Sequence, residues 1–320
     1  MPLVMVTGAS GYIGRFLGPR LYYAGYSTRG CVRSNLIDQI DGYKQIVSIG
    51  DMTDKTNWTQ SLSGVEYVVH LAARAHNTKE YSHDSLESFR KVNYDATINL
   101  ARQSVLNGVR RFLYISSIGV LGSSTPVEPF SNNSKYNPNA PYAISKMEAE
   151  IELMKISKST EMEVVILRPP LVYGPNAPGN FLRLLKLVDN NIFLPFGNFI
   201  NKKSMISLTS LCDILVLCIS AENVANKKFV ISDGSDWSTV NLIRLIAKYM
   251  GKKVIIFALP ISLLRIIAYF LKKIKEFEKL FNSLIIDSTD TTEILDWKPR
   301  QLPEKYLREA VEFYKKRPKP

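Results

Sequence analysis

The stretch Leu3-Val4-Met5-Val6-Thr7-Gly8-Ala9-Ser10-Gly11-Tyr12-Ile13-Gly14 stands at the head of a 320-residue chain, and its reading decides the fold. Leu3 to Val6 is an apolar run short enough for a buried strand, and beyond the glycines Phe16, Leu17 and Leu21 repeat with helical spacing. Gly8, Gly11 and Gly14 lie between the two patterns, and three tasks fall to them there. They make a tight turn, let the backbone approach a pyrophosphate, and let a helix pack closely on a strand with its N-terminus toward the phosphates. Ser10, Tyr12 and Ile13 fill the same turn and are expected to line the same dinucleotide site.

Outward from this turn, short apolar runs alternate with helical patterns. Leu3 to Val6, Thr28 to Val32, Gln45 to Ser48, Tyr67 to Leu71, Phe112 to Ile115 and Val164 to Leu167 read as strands, and Ser88 to Asn107 and Tyr142 to Ser157 as helices. Strands apolar on both faces, separated by helices, predict an α/β fold: a Rossmann-type, doubly wound parallel sheet covered by its crossover helices. After Arg168 a loop-rich stretch with Pro169, Pro170, Gly174, Pro175, Pro178 and Gly179 breaks the alternation. The expected division is a dinucleotide-binding domain over 1–168 and a smaller, mainly substrate-binding lobe over 169–320, with some later segments returning to the first domain. In the second part, Ser238 is placed to cap a helix running to about Met250, with Gly251 just past its end.

Composition narrows the classes further. A chain that is 46% hydrophobic and 22% charged is neither disordered nor collagen-like. No secretory leader is read at the start, and no apolar run reaches the ~18 residues of a membrane span, so the expected location is cytoplasmic. Cys31, Cys212 and Cys218 have neither metal-ligand nor disulfide-framework spacing, so no metal site is expected. The net charge of +12 is spread along the chain and no nucleic-acid module is legible, so nucleic acid is not an expected partner.

The end of the second strand, Cys31-Val32-Arg33-Ser34, bears on the cofactor. An NAD-preferring site usually places a carboxylate there for the ribose 2′-hydroxyl, and this stretch has none. Arg33 reads instead as a partner for a 2′-phosphate, making NADP the preferred cofactor over NAD, although a solvated loop arginine is the plainer alternative. Asp51 and Met52 follow the third strand, where they contact the adenine end or, in the case of Asp51, simply cap a helix.

A Tyr-x-x-x-Lys pair places phenol and ammonium on one helix face, one turn apart. The pattern occurs at Tyr142/Lys146, Tyr249/Lys253 and Tyr269/Lys273, so spacing alone does not choose. Tyr249/Lys253 straddles Gly251 at a helix end, and Tyr269/Lys273 lies far from the cofactor half. Tyr142/Lys146 follows a strand ending in Ser116-Ser117, by an interval that returns the chain to the carboxyl edge of the sheet, where ligands bind. A free phenol titrates near 10, so proton exchange near neutrality needs a nearby cation. The expected triad is therefore Ser117 holding the reacting oxygen, Tyr142 giving or taking its proton, and Lys146 steadying the phenolate and reaching the nicotinamide ribose.

Together these residues resemble the extended short-chain dehydrogenase/reductase family, also called the NAD-dependent epimerase/dehydratase family, which contains UDP-galactose 4-epimerases, sugar 4,6-dehydratases and 4-ketoreductases. The resemblance spans essentially the whole chain, through Thr7 to Gly14, Asp51-Met52, His70 to Ala73, Val92-Asn93, Ser116-Ser117, Tyr142 to Lys146, Arg168 to Pro175 and Leu295 to Pro299. It implies that Leu71, Ala72, Ala73 and Pro169 lie against the cofactor and that Asn93 supports the catalytic helix. It also implies that Asn180 and Lys203 contact the nucleotide diphosphate of a UDP-sugar, with Lys203 standing where arginine is usual. The dehydratases carry an Asp-Glu pair after the catalytic hydroxyl residue; here the positions are Ile118-Gly119, which cannot move a proton.

Arg168 to Val188 and Ser283 to Ser288 look like the bacterial 4-ketoreductases that form UDP-N-acetylquinovosamine for surface polysaccharide. That reduction is the leading reading, a UDP-glucose or UDP-N-acetylglucosamine 4-epimerase the runner-up, and a non-catalytic NADP-binding protein a third. The family implies a homodimer formed through the helices near Ser88 to Asn107 and Tyr142 to Ser157. Lastly, Leu263, Leu264, Ile266, Ile267, Phe270, Leu271, Ile274, Phe277 and Leu280 form an apolar helical stripe beside Lys272, Lys273, Lys275 and Lys279. A lobe helix packed on its own core is the favoured reading, and rest on an anionic membrane surface the alternative.

Overall fold

The computed structural model describes residues 1–34, 39–75, 86–125, 127–190, 193–195, 197, 200–272 and 274–317, without the side chains of 268, 275, 276, 279 and 280. The strands are β1 (Leu3–Thr7), β2 (Ser27–Val32), β3 (Gln45–Ser48), β4 (Tyr67–His70), β5 (Arg111–Ile115), β6 (Glu163–Arg168), β7 (Leu171–Tyr173), β8 (Phe193–Leu194), β9 (Lys203–Ser207), β10 (Lys227–Val230), β11 (Asp236–Trp237) and β12 (Ile255–Ile256). The α-helices are α1 (Tyr12–Tyr23), α2 (Thr59–Leu62), α3 (Leu86–Arg90), α4 (Ala96–Leu106), α5 (Pro141–Ser159), α6 (Gly179–Asp189), α7 (Leu208–Ser220), α8 (Thr239–Met250), α9 (Ile261–Phe270), α10 (Ile274–Phe281), α11 (Thr289–Leu295) and α12 (Pro303–Lys315).

Seven strands form one parallel sheet in the order β3-β2-β1-β4-β5-β6-β10. The chain winds outward from β1 to β3, then resumes on the other side of β1 with β4. Strand order thus reverses between β1 and β4, and the crevice at their carboxyl ends is where such sheets bind ligands. Alternation along each strand builds a core on both faces: Val4 and Val6 pack with Leu17 of α1 and Leu211 of α7, while Met5 faces Leu100 of α4 and Leu153 of α5. This is the doubly wound parallel sheet expected from the sequence. Two elements from the second half complete it, since α7 covers one face and β10 pairs with the outer edge of β6.

The smaller lobe gathers β9, flanked by β7 and β11, with α6, α8 and α12 around a third core containing Phe181, Ile243, Ile246 and Leu307. Helix α8 has the ends read from its sequence: the Ser238 hydroxyl accepts from the Asn241 N–H at 3.0 Å, and Gly251 takes the left-handed conformation at φ 71°. The helix expected over 88–107 differs from a uniform one. A π-helical turn over Lys91–Asp95 separates α3 from α4, and it carries Asn93, whose buried amide is engaged by groups outside the helix.

Candidate active site

The glycine turn shows why side chains are excluded from it. Gly8 has φ +70°, and a Cβ there would stand 3.0 Å from the Ala72 nitrogen on the neighbouring strand end. At Gly14 a Cβ would lie 2.3 Å from the Gly8 carbonyl oxygen, so the first turn of α1 sits directly on the loop. Gly11 caps α1, and its N–H donates to the Gly8 carbonyl at 2.9 Å. The result is a cradle of backbone at a helix N-terminus, shaped for phosphate oxygens. Tyr12 packs against the cores of both lobes, while Ser10 and Ile13 are half-buried in the same turn.

On one side of the cradle, β4 ends at His70, which is fully buried between two hydroxyls: Thr7 Oγ1 is 2.6 Å from Nδ1, and Thr97 Oγ1 is 2.9 Å from Nε2. Burial lowers the His70 pKa to about 3, with Lys146 adding to the effect, so the imidazole is neutral. The Thr7 hydroxyl also accepts from the Ala72 N–H at 3.2 Å. Leu71 and Ala72 are thus tied to the end of β1 and lie against Gly8 as they leave the sheet. Thr7 stands in the glycine stretch without a role of its own, and Thr97 carries no signal in the sequence, because only tertiary packing brings it to His70.

On the other side, α5 presents Tyr142 and Lys146 one turn apart, with Pro141 at its first turn, where a missing N–H costs nothing. Lys146 is almost wholly buried; its Nζ donates to the Ile115 carbonyl at 2.7 Å and lies 4.4 Å from the centre of the Tyr114 ring. Burial lowers its pKa to about 7, against the opposing charge of Glu150. The half-buried Tyr142 meets Phe89 edge to face at 6.2 Å between ring centres, and burial raises its pKa to about 12. At neutral pH the phenol thus holds its proton.

Ser117 follows β5 and caps a short 3₁₀ turn, its Oγ accepting from the Gly119 N–H at 3.1 Å. A Cβ on Gly119 would stand 3.3 Å from that Oγ and 3.5 Å from the Ala143 Cβ, which places Ser117 beside the residue that follows Tyr142. The neighbouring Ile118 is buried and its N–H donates to the Pro169 carbonyl at 2.9 Å. Neither Ile118 nor Gly119 offers a proton-moving group.

Asn93 ties these parts together. Its Oδ1 accepts from the Arg74 N–H at 2.8 Å, and its Nδ2 donates to the Arg74 carbonyl at 3.2 Å and to Ser145 Oγ at 3.1 Å, linking the segment after β4 to α5 next to Lys146. Ser145 and Arg74 were not legible as members of this network, because both are brought to Asn93 by tertiary pairing.

At the outer end, Arg33 and Asp51 are exposed and 3.8 Å apart, and Met52 is buried below them in the core that contains Val68 and Phe112. In the smaller lobe, Asn180 is exposed in the first turn of α6, while Lys203 begins β9 half-buried, with burial lowering its pKa to about 8. Of the other Tyr-x-x-x-Lys pairs, Tyr249 and Lys253 are separated by the helix-ending Gly251; Tyr269 is 70% exposed on α9, and Lys273 lies outside the described residues. Among the described residues no cluster of His, Cys, Asp or Glu could hold a metal ion, and the three cysteines are buried and unpaired.

The model of the NAD dependent epimerase/dehydratase family matches residues 4–193. A UDP-glucose 4-epimerase of Vibrio cholerae is 35% identical over 314 residues, 97% of this chain and 95% of that protein. The N-acetyl-α-D-glucosaminyl-diphospho-ditrans,octacis-undecaprenol 4-epimerase of Escherichia coli O157:H7 is 28% identical over 81% of this chain and 76% of its own length. Among solved structures, the Thermotoga maritima UDP-glucose 4-epimerase with UDP-glucose aligns with a TM-score of 0.78 at 21% identity, covering 98% of this chain and 99% of that one. The Bacillus cereus UDP-glucuronic acid 4-epimerase, in complex with UDP-glucuronic acid and NAD, gives 0.78 at 19%, with the same coverage. At such identities the two structures speak for the fold.

Proposed function

The chain belongs to the NAD dependent epimerase/dehydratase family, an enzyme family acting on nucleotide sugars, and from that premise we propose that it moves hydride at C4 of a UDP-linked hexose, with 4-epimerisation as the net reaction. The observation that carries this reading is that Ser117, just past β5, and Lys146 on α5, whose Nζ reaches the carbonyl at the end of β5, lie with Tyr142 one helical turn away at the carboxyl end of the sheet that also bears the glycine turn, with Ile118 and Gly119 offering no second acid or base. One proton-moving centre suffices for oxidation and reduction at a single carbon, whereas elimination of water needs a further acid and base. The identity to the Vibrio cholerae epimerase along nearly the whole chain supports the same choice.

The glycine turn fits a dinucleotide, because Gly8, Gly11 and Gly14 let the loop, the end of β4 and the first turn of α1 pack backbone to backbone, which leaves a helix N-terminus free of side chains for phosphates to approach. When bound, the nicotinamide supplies the hydride acceptor and donor. The protein's own residues do the rest. Ser117 Oγ orients the C4 oxygen, and Tyr142 takes its proton on oxidation and returns it on reduction. Lys146 stabilises the phenolate, and Asn93, through Ser145, holds the turn of α5 from which both groups project. Asn180 and Lys203 are assigned to the diphosphate of the sugar nucleotide, where the exposed amide and the cation of the smaller lobe offer hydrogen-bond donors and charge.

A second reading, reduction of a UDP-4-keto-6-deoxy-N-acetylhexosamine with NADPH, is favoured by Arg33, whose exposed guanidinium lies just past β2, where an NAD site usually holds a carboxylate. One experiment separates the readings. Purified protein is given UDP-glucose, UDP-N-acetylglucosamine or the 4-ketosugar, and both sugar products and dinucleotide absorbance are followed. Interconversion of C4 epimers without net dinucleotide change supports the epimerase. Stoichiometric NADPH loss with the ketosugar, and none of the former, replaces it with the reductase. No turnover with any of them, despite dinucleotide binding, leaves a binding protein.

A further inference from the structure

Helix α9 is apolar almost all round and is scarcely covered. Ile261, Leu263, Ile266, Ile267, Tyr269 and Phe270 are between 43% and 78% exposed. Leu264 alone of the apolar stripe on this helix is buried, in a small cluster with Val240, Phe277 and Phe281. The sequence favoured a helix packed on its own core; the structure packs it along a single line and leaves the rest in solvent. Leu271, just past the helix, and Ile255 and Phe257, before it in the chain, are exposed as well. Soluble proteins seldom leave so contiguous an apolar face without a partner.

From this face we infer that α9 and its flanks are a docking surface for an anionic phospholipid bilayer. Charge selects this occupant. Between Ile261 and Phe281 the sequence carries five basic residues, Arg265, Lys272, Lys273, Lys275 and Lys279, against Glu276 and Glu278, within a chain of net charge +12. A second copy of the chain would set this basic excess against itself, because a two-fold contact pairs a surface with its own image. A bilayer bearing phosphatidylglycerol attracts it, and takes apolar side chains into its headgroup boundary. Helix α9 has ten residues, about 15 Å of rise, far short of the ~30 Å hydrocarbon core. It therefore lies in the interface and does not cross. Exposed Lys253 and Lys272 bracket the face along the chain, and Tyr269 and Phe270 put aromatic rings at the helix end, suited to headgroup depth.

Docking here would bring the smaller lobe to the membrane surface. The residues after α10 run along β9, where the Leu284 N–H donates to the Lys202 carbonyl and the Ser204 N–H to the Leu284 carbonyl, each at 2.8 Å, on either side of Lys203. The inference concerns the surface alone and is independent of which C4 reaction the site performs.

The test is co-flotation of the full chain with vesicles of phosphatidylcholine alone or of phosphatidylcholine with phosphatidylglycerol. The expected result is flotation with the anionic vesicles at low salt, reduced at high salt as the surface potential is screened. Ile266→Glu with Phe270→Glu should cut bound protein at least about tenfold, and Lys272→Glu should lower the preference for anionic vesicles. Both variants should keep their circular dichroism and their turnover of soluble UDP-sugar. Absence of flotation by the wild type on anionic vesicles at low salt overturns the inference. So does a wild-type dimer, seen by sedimentation, that the double variant converts to monomer while vesicle binding is unchanged.

Discussion

Arg33, just past the end of β2, faces Asp51, just past the end of β3, at 3.8 Å, with the two side chains 82% and 83% exposed. Eighteen positions apart in sequence, they meet because β2 and β3 pair in parallel, with Val32 opposite Ser48. The strand end that lacks a carboxylate in sequence has one in space. A 2′-phosphate entering this end gains Arg33 and is repelled by Asp51, whereas a 2′-hydroxyl can donate to Asp51. Being exposed, the ion pair itself contributes little, about 0–1 kcal/mol. Under the proposed placement of the adenosine ribose at this end, cofactor choice turns on these two residues, and one substitution at either should tip it.

Arg33→Ala should weaken NADPH binding about tenfold, the scale of one charge-assisted hydrogen bond, and leave NADH within about twofold. Asp51→Asn should shift the ratio the opposite way, toward NADPH. Fluorescence titration of both dinucleotides at low salt checks this, and an NADPH affinity indifferent to Arg33 would remove the 2′-phosphate role.

Tyr142→Phe should lower turnover at least about a hundredfold, the scale of a lost positioned proton donor, while dinucleotide affinity changes little. Tyr249→Phe and Tyr269→Phe share the Tyr-x-x-x-Lys spacing but not the place, the first at the end of α8 and the second exposed on α9, so both should keep near-normal turnover. Loss of activity in either of these with a preserved fold would move the catalytic tyrosine elsewhere.

The outcome for particular residues shows what a single chain reveals and what it hides. The sheet, the glycine turn and the family were legible because their signals are local: apolar runs, glycines at fixed offsets, a strand ending in two serines. The contacts of His70 were not, since Thr7 and Thr97 are 63 and 27 positions away and meet it only through sheet pairing and helix packing. The return of α7 and β10 to the first sheet was expected only in general terms, because an apolar run says that something covers it without saying what. Helix α9 is the converse case. Its period announced an apolar face, but exposure is a property of neighbours, and only the packed structure shows that Leu264 alone of its stripe is buried.

Gly14→Ala should destabilise the protein by about 1–3 kcal/mol and weaken both dinucleotides, because its Cβ would stand 2.3 Å from the Gly8 carbonyl oxygen and 2.7 Å from Ala9 Cα, both backbone atoms that can yield only by moving the cradle. Gly25→Ala is the control. Gly25 has φ +86° and open space around it, so alanine there costs about 1 kcal/mol of backbone strain and should leave dinucleotide affinity intact. Thermal unfolding and titration with NADH and NADPH measure both effects, and equal behaviour of the two variants would deny the turn its special geometry.

Burial lowers the pKa of Lys146 to about 7 in the folded chain. In the unfolded chain the same lysine titrates near 10.4. Below about pH 7 both states carry the proton, and the folded state bears the full cost of a buried ammonium. Between about 7 and 10 the unfolded state binds more protons than the folded one, so this residue's contribution makes stability rise with pH across that window, and then level off. Lys146→Met fills similar volume without a titrating group and should abolish the contribution. Urea unfolding of both proteins at several pH values subtracts every other titration the two share. The stability of the wild type relative to the variant should therefore climb from about pH 7 to about 10. A difference that stays flat would mean that the ammonium remains charged throughout, held by the Ile115 carbonyl and the Tyr114 ring strongly enough to offset its burial.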